Sequence, residues 1–151
     1  MVKPGDPAPD FELSDQDGKT RHLKAMLEDG PVVLFFYPAA MTSGCTTESC
    51  HFRDLKAEFE KLGAQRVGIS VDTVEKQKQF SDKHSFDYPL VSDVNGEVAT
   101  AYGVKRKILA MLTPVKRSTF VIGKDGIIKD VISSELKFDL HADKALESLS
   151  H

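Results

Sequence analysis

Cys45 and Cys50 are the only two thiols in the 151-residue chain, and the residues around the first suit nucleophilic redox chemistry. The segment runs Tyr37-Pro38-Ala39-Ala40-Met41-Thr42-Ser43-Gly44-Cys45-Thr46-Thr47-Glu48-Ser49-Cys50. With Thr42 or Ser43 as the N-cap of a helix, Cys45 falls in the first turn, where unpaired backbone N–H groups and the helix dipole stabilise a thiolate. A thiolate attacking the O–O bond of a peroxide needs its charge held and a hydrogen-bond donor beside the departing oxygen. Thr42 offers a hydroxyl. Pro38 stiffens the loop and shields the thiolate from bulk water. A cation from elsewhere in the chain would complete such a site.

Blander readings exist for the same residues. A free cysteine is often a small buried hydrophobe, and Cys50 is also explained as a packing neighbour. Cys45, Cys50 and His51 invite a metal, but a zinc site usually takes four ligands at shorter cysteine spacing. Glu48, one turn beyond Cys45, either pairs with an arginine in the site or answers the helix dipole. Arg53 either lies near the site or supports the helix surface by pairing with nearby acids. His22, His84, His141 and His151 are scattered through segments that read as surface.

The elements that must position Cys45 follow from the apolar pattern. Asp17-Gly18 marks the turn of an N-terminal hairpin, and Val32 to Tyr37 is a continuous apolar run typical of a strand buried on both faces. Phe52, Leu55, Phe59 and Leu62 recur at helical spacing, which predicts one long helix over 43–62, stopped by Gly63. Strands are expected over 67–71 and 88–91 with a helix over 74–84 between them, a β-α-β order that implies a parallel pair. A short helix over 95–102, a hairpin of 118–122 and 127–131 turning at Lys124-Asp125-Gly126, and a closing helix over 139–149 complete the pattern. The class is α/β, a three-layer sandwich, and 1–151 reads as a single domain.

A formal net charge of −3 gives no basic field for nucleic acid or an anionic membrane surface. No apolar stretch approaches the roughly 18 residues that suggest a bilayer span, and no apolar run follows the N-terminal lysine, so a soluble, unexported protein is expected. Two cysteines are too few for a secreted disulfide scaffold, and a reducing, cytoplasmic compartment is the expectation. Val104 to Arg117 carries basic residues and no acidic one around Ile108-Leu109-Ala110-Met111-Leu112. That segment reads as an ordinary packed loop or short helix, or as a docking surface for a second subunit or an acidic reductant.

Pro38, Thr42 and Cys45 form the spacing Pro-x-x-x-Thr-x-x-Cys, which resembles the active-site signature of the peroxiredoxins. Gly44-Cys45-Thr46-Thr47-Glu48-Ser49-Cys50-His51-Phe52-Arg53-Asp54 is similar to the bacterioferritin comigratory protein, or peroxiredoxin Q, branch. The likeness extends from Gly5-Asp6-Pro7-Ala8-Pro9-Asp10-Phe11 to Arg117-Ser118-Thr119-Phe120-Val121-Ile122. It implies a thioredoxin-like three-layer sandwich with a mixed central sheet and an N-terminal β-hairpin. By the same resemblance Cys45 is the peroxidatic cysteine, Cys50 the resolving one, and Arg117 the cation beside the thiolate. Where the branch usually carries charged residues and a proline, this chain has Ala39-Ala40-Met41-Thr42-Ser43, so better use of organic or lipid hydroperoxides than of hydrogen peroxide is expected.

Five residues along one helix place two Cα atoms on the order of 8.6 Å apart. Disulfides seldom exceed about 7 Å, so a Cys45–Cys50 bond requires local unwinding. The implied cycle is thiolate attack, a sulfenic acid at Cys45, condensation with Cys50, and reduction by thioredoxin or a similar dithiol, with no bound cofactor and with a homodimer allowed. The alternative is a general thiol–disulfide oxidoreductase or a redox-regulated binding protein on the same fold. Four intervening residues, where Cys-x-x-Cys has two, count against it.

Overall fold

Alternation along one strand organises the molecule. The computed structural model describes residues 1–106 and 114–151. In β3 (Val32–Phe36), Val32, Leu34 and Phe36 enter one apolar core, while Val33, Phe35 and the following Tyr37 enter another on the opposite side of the sheet. Side chains of a strand point alternately to either face, so a continuous apolar run marks a strand covered on both sides.

The sheet has the order β5-β4-β3-β6-β7. β4 (Gln65–Ser70) and β5 (Leu90–Ser92) run parallel to β3, linked through the helices α2 (Ser43–Asp54), α3 (Lys56–Lys61) and α4 (Val74–His84). β6 (Ser118–Ile122) is antiparallel to β3 and pairs with β7 (Ile128–Ser133). A separate antiparallel pair, β1 (Glu12–Ser14) and β2 (Thr20–His22), makes the N-terminal hairpin. The core on one face includes side chains of α1 (Leu23–Met26) and α5 (Glu97–Tyr102); the other includes those of α2, α3, α4 and α6 (Leu140–Leu149). This is the mixed-sheet, three-layer sandwich that the sequence implies.

Two elements differ from the expectation. The predicted helix over 43–62 is broken at Leu55, whose φ of −94° and ψ of 20° leave the helical region. At the break, Arg66 Nη1 donates to the carbonyl of Phe52 at 2.9 Å and competes for the acceptor that a continuing helix would use four residues on. α1 was not anticipated; it is a single turn, too short for a periodic signal, held by buried Leu23 and Met26. The run Ile108 to Leu112 lies outside the described residues. Among the described residues no helix is long and apolar enough to cross a membrane.

Candidate active site

Strand register brings the distant parts of the site together. Phe36 of β3 lies opposite Ser118 of β6, so Arg117, one residue earlier, comes level with Tyr37 at the end from which the Pro38–Met41 loop leaves the sheet. Thr119 and Val121 are partners of Phe35 and Val33, so the period of two puts Arg117, Thr119 and Val121 on the face covered by α2 and α6.

The loop is held from below. Ala40 N–H donates to Asp72 Oδ2 at 2.7 Å, and the same oxygen accepts from Ser70 Oγ. The Tyr37 hydroxyl donates to the buried Gln77, whose amide nitrogen donates to Ser70 Oγ and to the Val91 carbonyl. Pro38 is buried. Met41 takes a left-handed φ of 70°, which turns the chain so that the Thr42 hydroxyl donates to the Ala39 carbonyl at 2.8 Å. Of the two N-cap candidates, Thr42 and Ser43, Thr42 takes the extended N-cap position of α2, although its hydroxyl caps no amide of the helix.

Cys45 therefore sits in the first turn of α2, with 1% of its surface exposed. Arg117 Nη2 donates to its Sγ at 3.3 Å, while Nη1 donates to Glu48 Oε1 at 2.9 Å. Burial works against the Arg117 cation, but Glu48 and Cys45 outweigh it and raise its pKa above the ordinary arginine value. Burial pushes the Glu48 carboxyl up to about 8, against the pull of Arg117. Glu135 Oε1 accepts from the Arg117 backbone N–H at 2.9 Å and from Arg106 at 2.8 Å. The Phe138 ring lies 4.9 Å from the guanidinium carbon, a cation–π contact. Gly44 permits this closeness: a Cβ there would sit 2.7 Å from the Phe138 ring.

Cys50 lies five residues on in the same helix, half-buried, and both thiols are free. Burial pushes the Cys50 thiol up. Around it α2 is pinned: Tyr88 OH donates to the Ser49 carbonyl at 2.7 Å, and Arg66 to that of Phe52. Arg53 pairs with Asp54 and donates to the His84 carbonyl, so it supports the helix surface. Of the two readings of Glu48, pairing with an arginine in the site is the one observed.

His141 corrects the surface reading of the histidines. It is fully buried on α6, bonded to Thr119 and to the Ser134 carbonyl. Buried Ala142 and Ala145 share its side of α6, and that spacing was the available signal. Glu135 and Phe138, in the connection between β7 and α6, and Asp72 after β4 carry no local pattern that would have marked them.

The model of the AhpC/TSA family matches residues 4–131. The chain belongs to the AhpC/TSA family. A Mycobacterium tuberculosis protein named as a peroxiredoxin is 60% identical over 98% of this chain and 96% of its own length. The chloroplastic peroxiredoxin Q of Populus jackii is 36% identical over 98% of this chain and 68% of its own. The crystal structure of peroxidoxin BcpB from Mycobacterium tuberculosis superposes with a TM-score of 0.94 at 59% identity, covering 99% of this chain and 97% of that one. A Xanthomonas campestris bacterioferritin comigratory protein, described by its alkyl peroxide reduction, gives 0.86 at 31% identity over 99% and 96%. The fold is thus the thioredoxin-like fold of the peroxiredoxins, and the enzyme is a thiol-dependent peroxidase whose substrate class is hydroperoxide and whose reductant is a thiol.

Proposed function

We propose that Cys45 is the peroxidatic thiol of this peroxiredoxin, that Cys50 resolves it, and that Arg117, Thr42 and Pro38 complete the machinery. The observation that carries the reading is the Arg117 guanidinium, which reaches Cys45 Sγ at 3.3 Å from the neighbouring strand on the face that α2 covers. Cys45 Sγ attacks the terminal oxygen of the hydroperoxide; the S–O bond forms as O–O breaks, and the alkoxide or hydroxide leaves with a proton from solvent. Arg117 holds the thiolate before the step and spreads the charge that moves onto oxygen during it. Thr42, its hydroxyl hydrogen directed to the Ala39 carbonyl, presents oxygen lone pairs that accept the O–H of the incoming peroxide. Pro38 stiffens the loop over the thiolate.

Cys50 then displaces hydroxide from the Cys45 sulfenic acid. The hydroxide leaves as water, and an external dithiol reduces the disulfide. Both cysteines lie on α2, so the disulfide requires α2 to unwind. Ala39, the exposed Met41 and the Phe138 ring give the site an apolar rim, which supports organic hydroperoxides as preferred substrates. A much lower kcat/KM for cumene hydroperoxide than for hydrogen peroxide contradicts that preference.

One domain over 1–151, thioredoxin or a similar dithiol as reductant, a cytoplasmic location and a homodimer belong to this reading. They rest on the resemblance, the cysteine usage and the segment around 104–117. A general thiol–disulfide oxidoreductase is disfavoured because Cys45 is buried against Arg117 rather than presented to a protein partner. Mass spectrometry after one equivalent of peroxide tests the cycle: the expected product is a monomeric chain lighter by two hydrogens, and a stable oxygen adduct or a disulfide-linked dimer refutes it.

A further inference from the structure

The connection from β7 to α6, residues 134–139, grips Arg117 twice. The first hold is on the backbone: Glu135 Oε1 accepts the Arg117 N–H at 2.9 Å and is itself braced by Arg106 Nη2 at 2.8 Å. The second is on the side chain, where the Arg117 guanidinium carbon lies over the Phe138 ring, 4.9 Å from its centroid. The connection is anchored where it begins. The Ser134 carbonyl accepts from the buried His141 Nε2 at 2.9 Å, and Ser134 Oγ accepts from the Lys137 N–H at 3.1 Å.

The guanidinium needs that second hold. Nη1 donates to Glu48 and Nη2 to Cys45 Sγ, but Nε is buried and has no hydrogen-bond partner among the described residues. Bonds from the two terminal nitrogens alone leave the planar fork able to tilt about the line between its acceptors. A ring laid over the guanidinium carbon stops that tilt, and its electron-rich face attracts the cation. The same ring rests on the first turn of α2: a Cβ at Gly44 would sit 2.7 Å from Cε1 and Cζ of Phe138 and 3.3 Å from Arg117 Nη2. Phe138 therefore touches both the cation and the residue that precedes Cys45, and covers the guanidinium where it meets the helix start. We infer that Phe138 is a positioning residue for the peroxide step, holding the Arg117 guanidinium in the plane from which Nη2 reaches Cys45 Sγ. This role differs from its place on the apolar rim, because it bears on hydrogen peroxide as much as on an organic hydroperoxide.

The inference rests on Cys45 being the reacting thiol, and the experiment keeps the two claims apart. Pentafluorophenylalanine in place of Phe138 keeps the ring's shape and cover but reverses the charge of its face. Reduced protein is mixed with hydrogen peroxide, which has no apolar group for the rim to hold, and Cys45 oxidation is followed by stopped flow. Alkylation of Cys45 by iodoacetamide is read in parallel by mass spectrometry of its peptide. Both rates should fall about tenfold in the fluorinated protein, and peroxide oxidation should fall about fivefold in Phe138→Leu. In an Arg117→Met background the same replacements should change these rates less than about twofold, because the cation they act through is gone. Unchanged rates in the fluorinated protein or in Phe138→Leu overturn the inference, since the ring would then only fill space. Equal slowing in both backgrounds overturns it as well, since the effect would bypass Arg117. Peroxide that leaves wild-type Cys45 unoxidised defeats the proposed function, whereas normal wild-type oxidation at a rate indifferent to the charge of the ring face defeats only this inference.

Discussion

Replacing Tyr88 with Phe should accelerate the resolving step while leaving the peroxide step alone. The Tyr88 ring is buried among Phe35, Phe86 and the Arg66 guanidinium, and Phe keeps that packing. What disappears is the hydroxyl's bond to the Ser49 carbonyl, one residue before Cys50. A buried neutral hydrogen bond is worth about 1 kcal/mol net. If α2 must release Ser49 before the two cysteines approach, losing that bond raises the open population, and the rate through it, about fivefold. The same loss lowers the melting temperature by about 2–4 °C. The assay mixes reduced protein with peroxide, quenches with an alkylating agent at increasing times, and separates sulfenic acid from disulfide by mass. Disulfide formation should quicken about fivefold and sulfenic acid formation change less than about twofold. A lowered melting temperature with an unchanged disulfide rate refutes the reasoning, since unwinding would then stop short of Ser49.

Arg117→Met removes the donor to Cys45 and should slow the peroxide step by about 10²–10³, and Arg117→Lys should recover little because one ammonium does not bridge Sγ and Glu48 as the fork does; stopped-flow peroxide oxidation decides, and a rate within tenfold of wild type for Met contradicts it. Glu48 binds its proton up to about pH 8 when folded but only to about 4.5 when unfolded, so the stability it contributes is fully present below 4.5 and lost as pH rises through 8. Wild type should thus lose stability relative to Glu48→Gln with a slope approaching about 1.4 kcal/mol per pH unit inside that window; parallel pH profiles in denaturant melts contradict it. Gly44→Ala gains about 0.5–1 kcal/mol of helix propensity but drives a Cβ to 2.7 Å from Phe138, so it should be neutral or destabilising alone and stabilising in a Phe138→Ala background, read by a double-mutant cycle of thermal melts.

How much of this was legible depended on whether the signal was local. The run from Val32 to Phe36, both hairpins and α4 carry their pattern within a few residues, and the structure has them close to where periodicity and turn chemistry put them. The break at Leu55 escaped notice because its cause, Arg66, sits on a strand across the packing interface and touches a backbone carbonyl. The apolar spacing of Phe52, Leu55, Phe59 and Leu62 is unaffected by such a contact.

The site divides in the same way. Cys45 at a helix start, with Thr42 or Ser43 as its N-cap, follows from adjacent residues. Arg117 was named through resemblance, and its physical reason is the β3–β6 register, which cannot be read from either strand alone. Glu135, Phe138 and Asp72 act across the fold and have ordinary neighbours in sequence. A histidine in a segment that also carries Asp139, Asp143 and Lys144 reads as solvated, although its register with Ala142 and Ala145 puts His141 on the buried side of α6.

The most direct test of the account is peroxide consumption coupled to dithiol oxidation in wild type, Cys45→Ser and Cys50→Ser. Turnover in wild type, none in Cys45→Ser, and a single equivalent consumed by Cys50→Ser before it stalls is the predicted outcome. Peroxide turnover that survives in Cys45→Ser, or wild-type protein that never oxidises Cys45, would contradict it.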